Sequence, residues 1–124
     1  MAKAKQLTIA VEDRPGALAE IARTLGDAKV NILGVLGVAQ GGSGTIHLVV
    51  GDARRAHEAL RKAGISASES TVEQIELPNR PGALAKYLER LAAKNVNLSA
   101  IYASASKGGR KATVVLAAAA NRGA

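Results

Sequence analysis

Leu7, Ile9 and Val11 alternate with Thr8, Ala10 and Glu12, the period-two pattern of a strand with one buried face. Asp13 to Gly16 interrupts it; Pro15 cannot donate to a sheet ladder but suits the first turn of a helix. Leu18, Ile21, Ala22 and Leu25 then fall at i, i+3, i+4, i+7 and predict an apolar helix face, ended by Gly26 and Asp27. Val30 to Gln40 reads as a second strand, Gly41 to Gly44 as a hairpin turn, and Ile46, Leu48 and Val50 as a third strand. Asp52 is a good N-cap for a short helix with Ala56, Leu60 and Ala63 on one side. Gly64 stops that helix, and Ile65 to Ser70 predicts a polar fourth strand. The order is βαββαβ.

The pattern then starts again. Arg14, Pro15, Gly16, Ala17, Leu18, Ala19 return as Arg80, Pro81, Gly82, Ala83, Leu84, Ala85, an offset of 66, and Val30, Asn31 return at the same offset as Val96, Asn97. Two matches in one register make the chain two copies of one unit, so a site carried by the unit occurs twice. Copy two predicts a strand over Val72 to Leu77 and a helix with Leu84, Tyr87, Leu88 and Leu91 inward. A strand over Asn97 to Ser106, a turn at Lys107 to Arg110 and a strand over Ala112 to Ala117 follow. At this offset Asp52 corresponds to position 118, with six residues beyond it. The predicted class is therefore α+β, a tandem of ferredoxin-like βαββαβ units with the second truncated to βαββ. Residues 1–70 form repeat one, and residues 71–124 form repeat two without its second helix and fourth strand. A sheet lacking one covering helix is expected to leave apolar surface in water. Either a second copy of the chain or the other repeat covers it, or the Ala-rich tail, Ala117 to Ala120, packs over it locally.

Composition narrows the function. With 48% hydrophobic residues but no Phe or Trp and two Tyr, the core must be aliphatic and Ala-rich. The absence of cysteine rules out disulfides, thiolate metal sites and a cysteine nucleophile. Met1 to Lys5 leads into Gln6 and Thr8 without the apolar stretch of a signal peptide. The most apolar run, Val114 to Ala120, is far shorter than the ~20 residues that span a bilayer. A cytoplasmic protein with no membrane partner is expected. The net charge of +7 suggests anionic partners, but it is scattered; Lys86, Arg90 and Lys94 form a helical stripe that reads as a solvated face.

The βαββαβ order, with Asp or Asn, Arg, Pro, Gly, a small residue and Leu entering the first helix and Val, Asn, Ile or Leu opening the second strand, resembles the ACT domain. The resemblance covers almost all of the chain, as a tandem pair. It implies a regulatory, allosteric protein that binds a small amino acid where two ACT units meet, as a homo-oligomer (a dimer), with no cofactor, metal or catalytic residue. The implied site is Asn79, Arg80, Pro81, Gly82 and Ala83 with Asn31, or its mirror, Asp13, Arg14, Pro15, Gly16 and Ala17 with Asn97. Gly16 and Gly82 let main-chain N–H groups approach a carboxylate at a helix start, and each Asn amide offers one donor and one acceptor group. Serine-responsive members carry a His two residues before the loop Asn; here Val11 and Leu77 stand there, against a serine site of that kind. Asp13 against Asn79 predicts non-equivalent sites, the Asn79 loop being the better one for a carboxylate. A related possibility is a docking subunit for an amino-acid biosynthetic enzyme; the small subunit of acetolactate synthase is similar in motif.

Other classes find less support. His47 lies mid-strand and His57 on a short helix, neither with a nucleophile or acid at motif spacing. Gly41, Gly42 and Gly44 form a hairpin turn, with no helix or Lys, Ser/Thr tail to make a phosphate loop. Ferredoxin-like RNA binders stack bases on strand aromatics, and Tyr102 is the only aromatic in any predicted strand, which argues against nucleic acid.

Overall fold

The computed structural model describes residues 2–118. Its elements run β1 (Ala2–Glu12), α1 (Ala17–Asp27), β2 (Ile32–Gln40), β3 (Ser43–Val50), α2 (Ala53–Lys62), β4 (Ser68–Pro78), α3 (Ala83–Ala93), β5 (Leu98–Ala105) and β6 (Lys111–Ala118). The protein is α+β with three helices and six strands among the described residues. It divides into two compact units, Lys5–Thr71 and Met1–Ala4 with Val72–Ala124.

In the first unit the strands lie in the order β2-β3-β1-β4, with β3 antiparallel to both β1 and β2. Leu7, Ile9, Ile46, Leu48 and Val50 face α1 and α2, which contribute Ile21, Leu25, Ala56 and Leu60. Each of these leucines and isoleucines gains about 1.5–3 kcal/mol from leaving water. The apolar face of α1 is narrower than its periodicity suggests. Ala17, Ile21 and Leu25 are buried, whereas Leu18 and Ala22 are exposed. Likewise Ala63, expected on the inner side of α2, is its exposed C-cap, while Asp52 caps the N-terminus by accepting from the Arg55 N–H at 3.1 Å.

In the second unit the order is β5-β6-β4, with β6 antiparallel to both neighbours. Its core is smaller: Ile75, Val114 and Leu116 pack with Tyr87 of α3, and Leu88 and Leu91 are half-buried beside them. Leu84, expected inward, is exposed, like its counterpart Leu18. The same unit includes Ala2–Ala4, the start of β1, which lies next to β4 in the strand order. The strand position expected to be vacant in copy two is therefore occupied by the chain's own beginning of β1.

Two readings of the sequence change. Residues 65–67 are not strand, and the two strands expected at Ile65–Ser70 and Val72–Leu77 are one continuous strand, β4. The repeat offset also grows. Ile9 pairs with Ile46 but Ile75 with Val114, so β6 follows β3 by 68 residues, while β5 still follows β2 by 66. Two residues have been added in the turn before β6. Among the described residues the second unit exposes Leu84, Val96 and Ile101, whereas the first unit is polar where β1 and β4 meet. The period of two puts Lys5 on the helix side of β1 with Leu7 and Ile9, and Glu69 and Thr71 on the helix side of β4 with Ile75. The Lys5 ammonium donates to the Thr71 hydroxyl at 3.0 Å and lies 3.9 Å from Glu69. Of the Ala-rich tail, residues 119–120 lie outside the described residues.

Candidate functional site

The two motif loops have the same backbone. Gly16 and Gly82 sit at the N-caps of α1 and α3 with φ of 89° and 86°, a left-handed conformation that L side chains adopt only under strain. Neither helix start has a side-chain cap. Main-chain bonds match pair for pair: Ala17 N to Arg14 O and Ala83 N to Arg80 O are both 3.3 Å, and Glu20 N to Gly16 O and Lys86 N to Gly82 O are both 3.0 Å. Each unit therefore offers uncapped helix-start N–H groups beside an exposed loop.

The side chains around them differ. In the first loop the Arg14 guanidinium lies 2.7 Å from Glu20 and 3.8 Å from Glu12. The hydrogen bond to Glu20 and its charge raise the Arg14 pKa, so this cation is permanent and locally neutralised. In the second loop Pro78 replaces Glu12, Asn79 replaces Asp13 and Lys86 replaces Glu20. Arg80 makes no ion pair among the described residues.

The adjoining hairpins explain the Asp and Asn. The β2–β3 turn is two residues, Gly41 and Gly42, both with positive φ (63° and 87°), and Asp13 N donates to Gly42 O at 3.1 Å. The β5–β6 connection runs over residues 106–110, and its carbonyls need more partners. Asn79 supplies them: its Nδ2 donates to Ser106 O at 3.2 Å and to Gly109 O at 2.9 Å, while its main-chain N donates to Arg110 O at 2.8 Å. An ionised Asp has no donor and could not make the two side-chain bonds. The sequence reading gave Asn79 a ligand role alone; its fastening of the hairpin emerges only from its contacts in the fold.

Asn31 and Asn97 are exposed. The Asn31 carbonyl accepts from Gly51 N at 2.9 Å, and the Asn97 Oδ1 accepts from Leu98 N at 3.1 Å. Each stands at the start of an edge strand, whereas its own unit's motif loop lies at the turn end, where Glu12 pairs with Ser43 and Pro78 with Lys111. The length of β2 separates the two ends by roughly 25 Å at ~3.3 Å per residue. The structure brings Asp13, Arg14, Pro15, Gly16 and Ala17 together, and likewise Asn79, Arg80, Pro81, Gly82 and Ala83, but it does not bring either Asn to its own loop. A cavity of about 170 Å³ beside the first loop is lined by Asp13, Arg14, Ala17, Leu18, Val38 and Thr45 among others. That is smaller than the ~300–1,000 Å³ of a complete small-molecule pocket, as half a site would be.

The edges themselves are apolar. Leu33, Val35 and Val38 on β2, Leu18 on α1, and their partial counterparts Ile101 and Leu84 are exposed. Both edge strands carry a bulge at the same repeat position, between Ile32 and Gly34 and between Leu98 and Ala100. The histidines lie elsewhere. His47 Nδ1 is 3.1 Å from the Thr8 hydroxyl, a cross-strand pair. His57 Nδ1 is buried without a hydrogen-bond partner at a groove of about 640 Å³ against α2 that also includes Lys5, Arg54 and Arg61, a feature the sequence did not signal. No group of three or more metal-ligating side chains occurs among the described residues, and no helix among them is long and apolar enough to cross a membrane.

The family model described as "ACT domain pair" matches residues 2–123. An aspartokinase of Corynebacterium glutamicum is 30% identical over 118 residues, covering 82% of this chain; the match spans only 28% of that enzyme's length. The crystal structure of a Bacteroides thetaiotaomicron protein superposes with a TM-score of 0.88 at 30% identity, covering 95% of this chain and 81% of that one. The ligand-free regulatory subunit of aspartate kinase from Thermus thermophilus shares the fold, with a TM-score of 0.71 at 18% identity, covering 94% and 84%. Matched motif loops, repeated edge strands and a family match along nearly the whole chain converge: the protein belongs to the ACT domain pair family.

Proposed function

We propose that the protein is a non-catalytic, allosteric sensor that binds a small amino acid between a motif loop of one ACT unit and the Asn31 or Asn97 edge of a unit in a second copy of the chain, acting in the cytoplasm. The observation that carries this is the separation of each Asn from its own loop by roughly the length of an edge strand. A ligand a few ångströms long reaches both only if another unit brings its loop alongside, and the exposed apolar edges of β2 and β5 suit such pairing. In this reading Gly16 and Gly82 open main-chain donors to the ligand carboxylate, and Asn31 and Asn97 read its polar groups. The fold of each unit is ferredoxin-like, the second without its own second helix. A ligand that prefers one arrangement of the copies shifts that arrangement by its difference in affinity, which is how binding becomes a signal.

The test is a thermal-shift screen of the twenty amino acids, with light scattering on the free and bound protein. A ligand at ~100 times its Kd stabilises by about 2.7 kcal/mol, and Asn31→Ala or Asn97→Ala should remove that shift. A monomer that binds a ligand with undiminished affinity in both Asn variants sinks the proposal. A second reading, docking onto a biosynthetic enzyme, is favoured by the aspartokinase relatives, which make an aspartate kinase a better candidate partner than acetolactate synthase. Stoichiometric complex formation without any amino-acid response supports that alternative.

A further inference from the structure

Charge is divided unevenly between the units. Lys5–Thr71 contains eight basic and seven acidic residues, and the rest of the chain nine and three. Every ion pair among the described residues lies within Lys5–Thr71. The second unit's surplus is gathered at its motif loop. Arg80 is in the loop, Lys86 follows one turn into α3, and Lys111 opens β6 opposite Pro78. Lys107 and Arg110 lie in the turn that Asn79 fastens to the loop through Ser106, Gly109 and Arg110 carbonyls. All five cations are exposed and none is in an ion pair among the described residues; the nearest acids along the chain are Glu76, two residues before Pro78, and Glu89, three after Lys86. At the equivalent end of the first unit Arg14 stands among Glu12, Asp13 and Glu20, beside a turn of uncharged glycines.

Resting on the amino-acid-binding reading above, we propose that the second motif loop takes an acidic amino acid, one bearing a side-chain carboxylate besides its α-carboxylate. A neutral ligand uses one anionic group at such a site. A second carboxylate meets further cations that have no internal partner to lose, so its attraction is not offset by breaking ion pairs. The first loop offers no such gain, because its arginine is already held by Glu20.

Calorimetry on the full chain with glutamate, glutamine, aspartate and asparagine, and with inorganic phosphate as a plain anion, tests this. Glutamate or aspartate should bind about 10-fold more tightly than its amide, a difference of ~1.4 kcal/mol. That preference should shrink in high salt and disappear in Lys86→Glu/Arg110→Gln, exposed positions whose change should leave the circular dichroism spectrum unaltered. Amides that bind as tightly as the acids overturn the proposal and leave the sensor reading standing. Phosphate binding as well as glutamate also overturns it, marking a surface that holds any anion. Failure of every amino acid in the wider screen overturns the sensor reading, and this proposal with it.

Discussion

The two motif loops have one backbone and two chemistries. Gly16 and Gly82 adopt the same left-handed turn into a helix, with the same main-chain bonds to within 0.1 Å. Yet Arg14 is enclosed by acids, whereas Arg80 stands among cations. The backbone is set by the few residues common to both copies; the electrostatics are set by residues that differ, beside the loops and in the adjoining hairpins. Asp13 and Asn79 show how the two are linked. A two-residue turn needs one main-chain bond from the loop, and the longer turn needs an amide donor as well. Duplication supplies a scaffold twice, and a turn longer by two residues gives Asn79 a fastening role that Asp13 does not have.

That comparison can be broken at several strengths. The largest effect should come from the cores. Leu48→Ala, fully buried among ten core residues in the first unit, should cost about 3 kcal/mol in urea unfolding, and Leu116→Ala in the smaller cluster should cost less because its surroundings collapse more readily. Next are the shared glycines. Gly16→Ala and Gly82→Ala should each lose about 1–2 kcal/mol, equally in the two loops, because the strain lies in φ and not in a clash: the nearest atom to an added Cβ at Gly16 is 3.9 Å away, and nothing lies within 4 Å at Gly82. Unequal losses would show that the loops differ in backbone after all. Asn79→Asp should lose about 1 kcal/mol by removing two donors from an exposed turn, whereas Asp13→Asn should be neutral.

The smallest effect belongs to Tyr102, which stands where the first unit has Leu36. Burial raises its pKa above the ordinary value, so the folded state favours the protonated phenol. The resulting stability is complete below the unfolded pKa of about 10 and is lost as pH rises through the folded value. Unfolding curves of wild type and Tyr102→Phe should therefore diverge above about pH 10, with the wild type losing stability faster.

Much of the fold was legible because it is written in local periods. The alternation through Leu7, Ile9 and Val11, the Asp52 cap and the Pro–Gly helix entries each act within a few residues. What was missed depends on partners far along the chain. Whether residues 65–78 make one strand or two is decided by neighbouring strands, and β4 runs unbroken from Ser68 because they continue past it. The change of offset from 66 to 68 is visible only in which residues pair across β6. The polar character at Lys5, Glu69 and Thr71 was present in the letters, but its meaning needed the strands to be placed side by side. For the site, the loop residues were found from their repeated motif. Asn79's second occupation was not, because its acceptors lie 27 and 30 residues away.

The short stretch Ala2–Ala4 belongs with strands that begin some seventy residues later. On the ribosome, Lys5–Thr71 can therefore complete its packing while the second unit's neighbour strand waits, already made and exposed, for β4 to β6 to emerge. Non-local pairing of that kind is slow, and an unpaired strand end in the interval is open to capture by other chains. Disrupting the strand character of that short stretch, for example with Ala4→Pro, should therefore harm refolding more than its small size suggests.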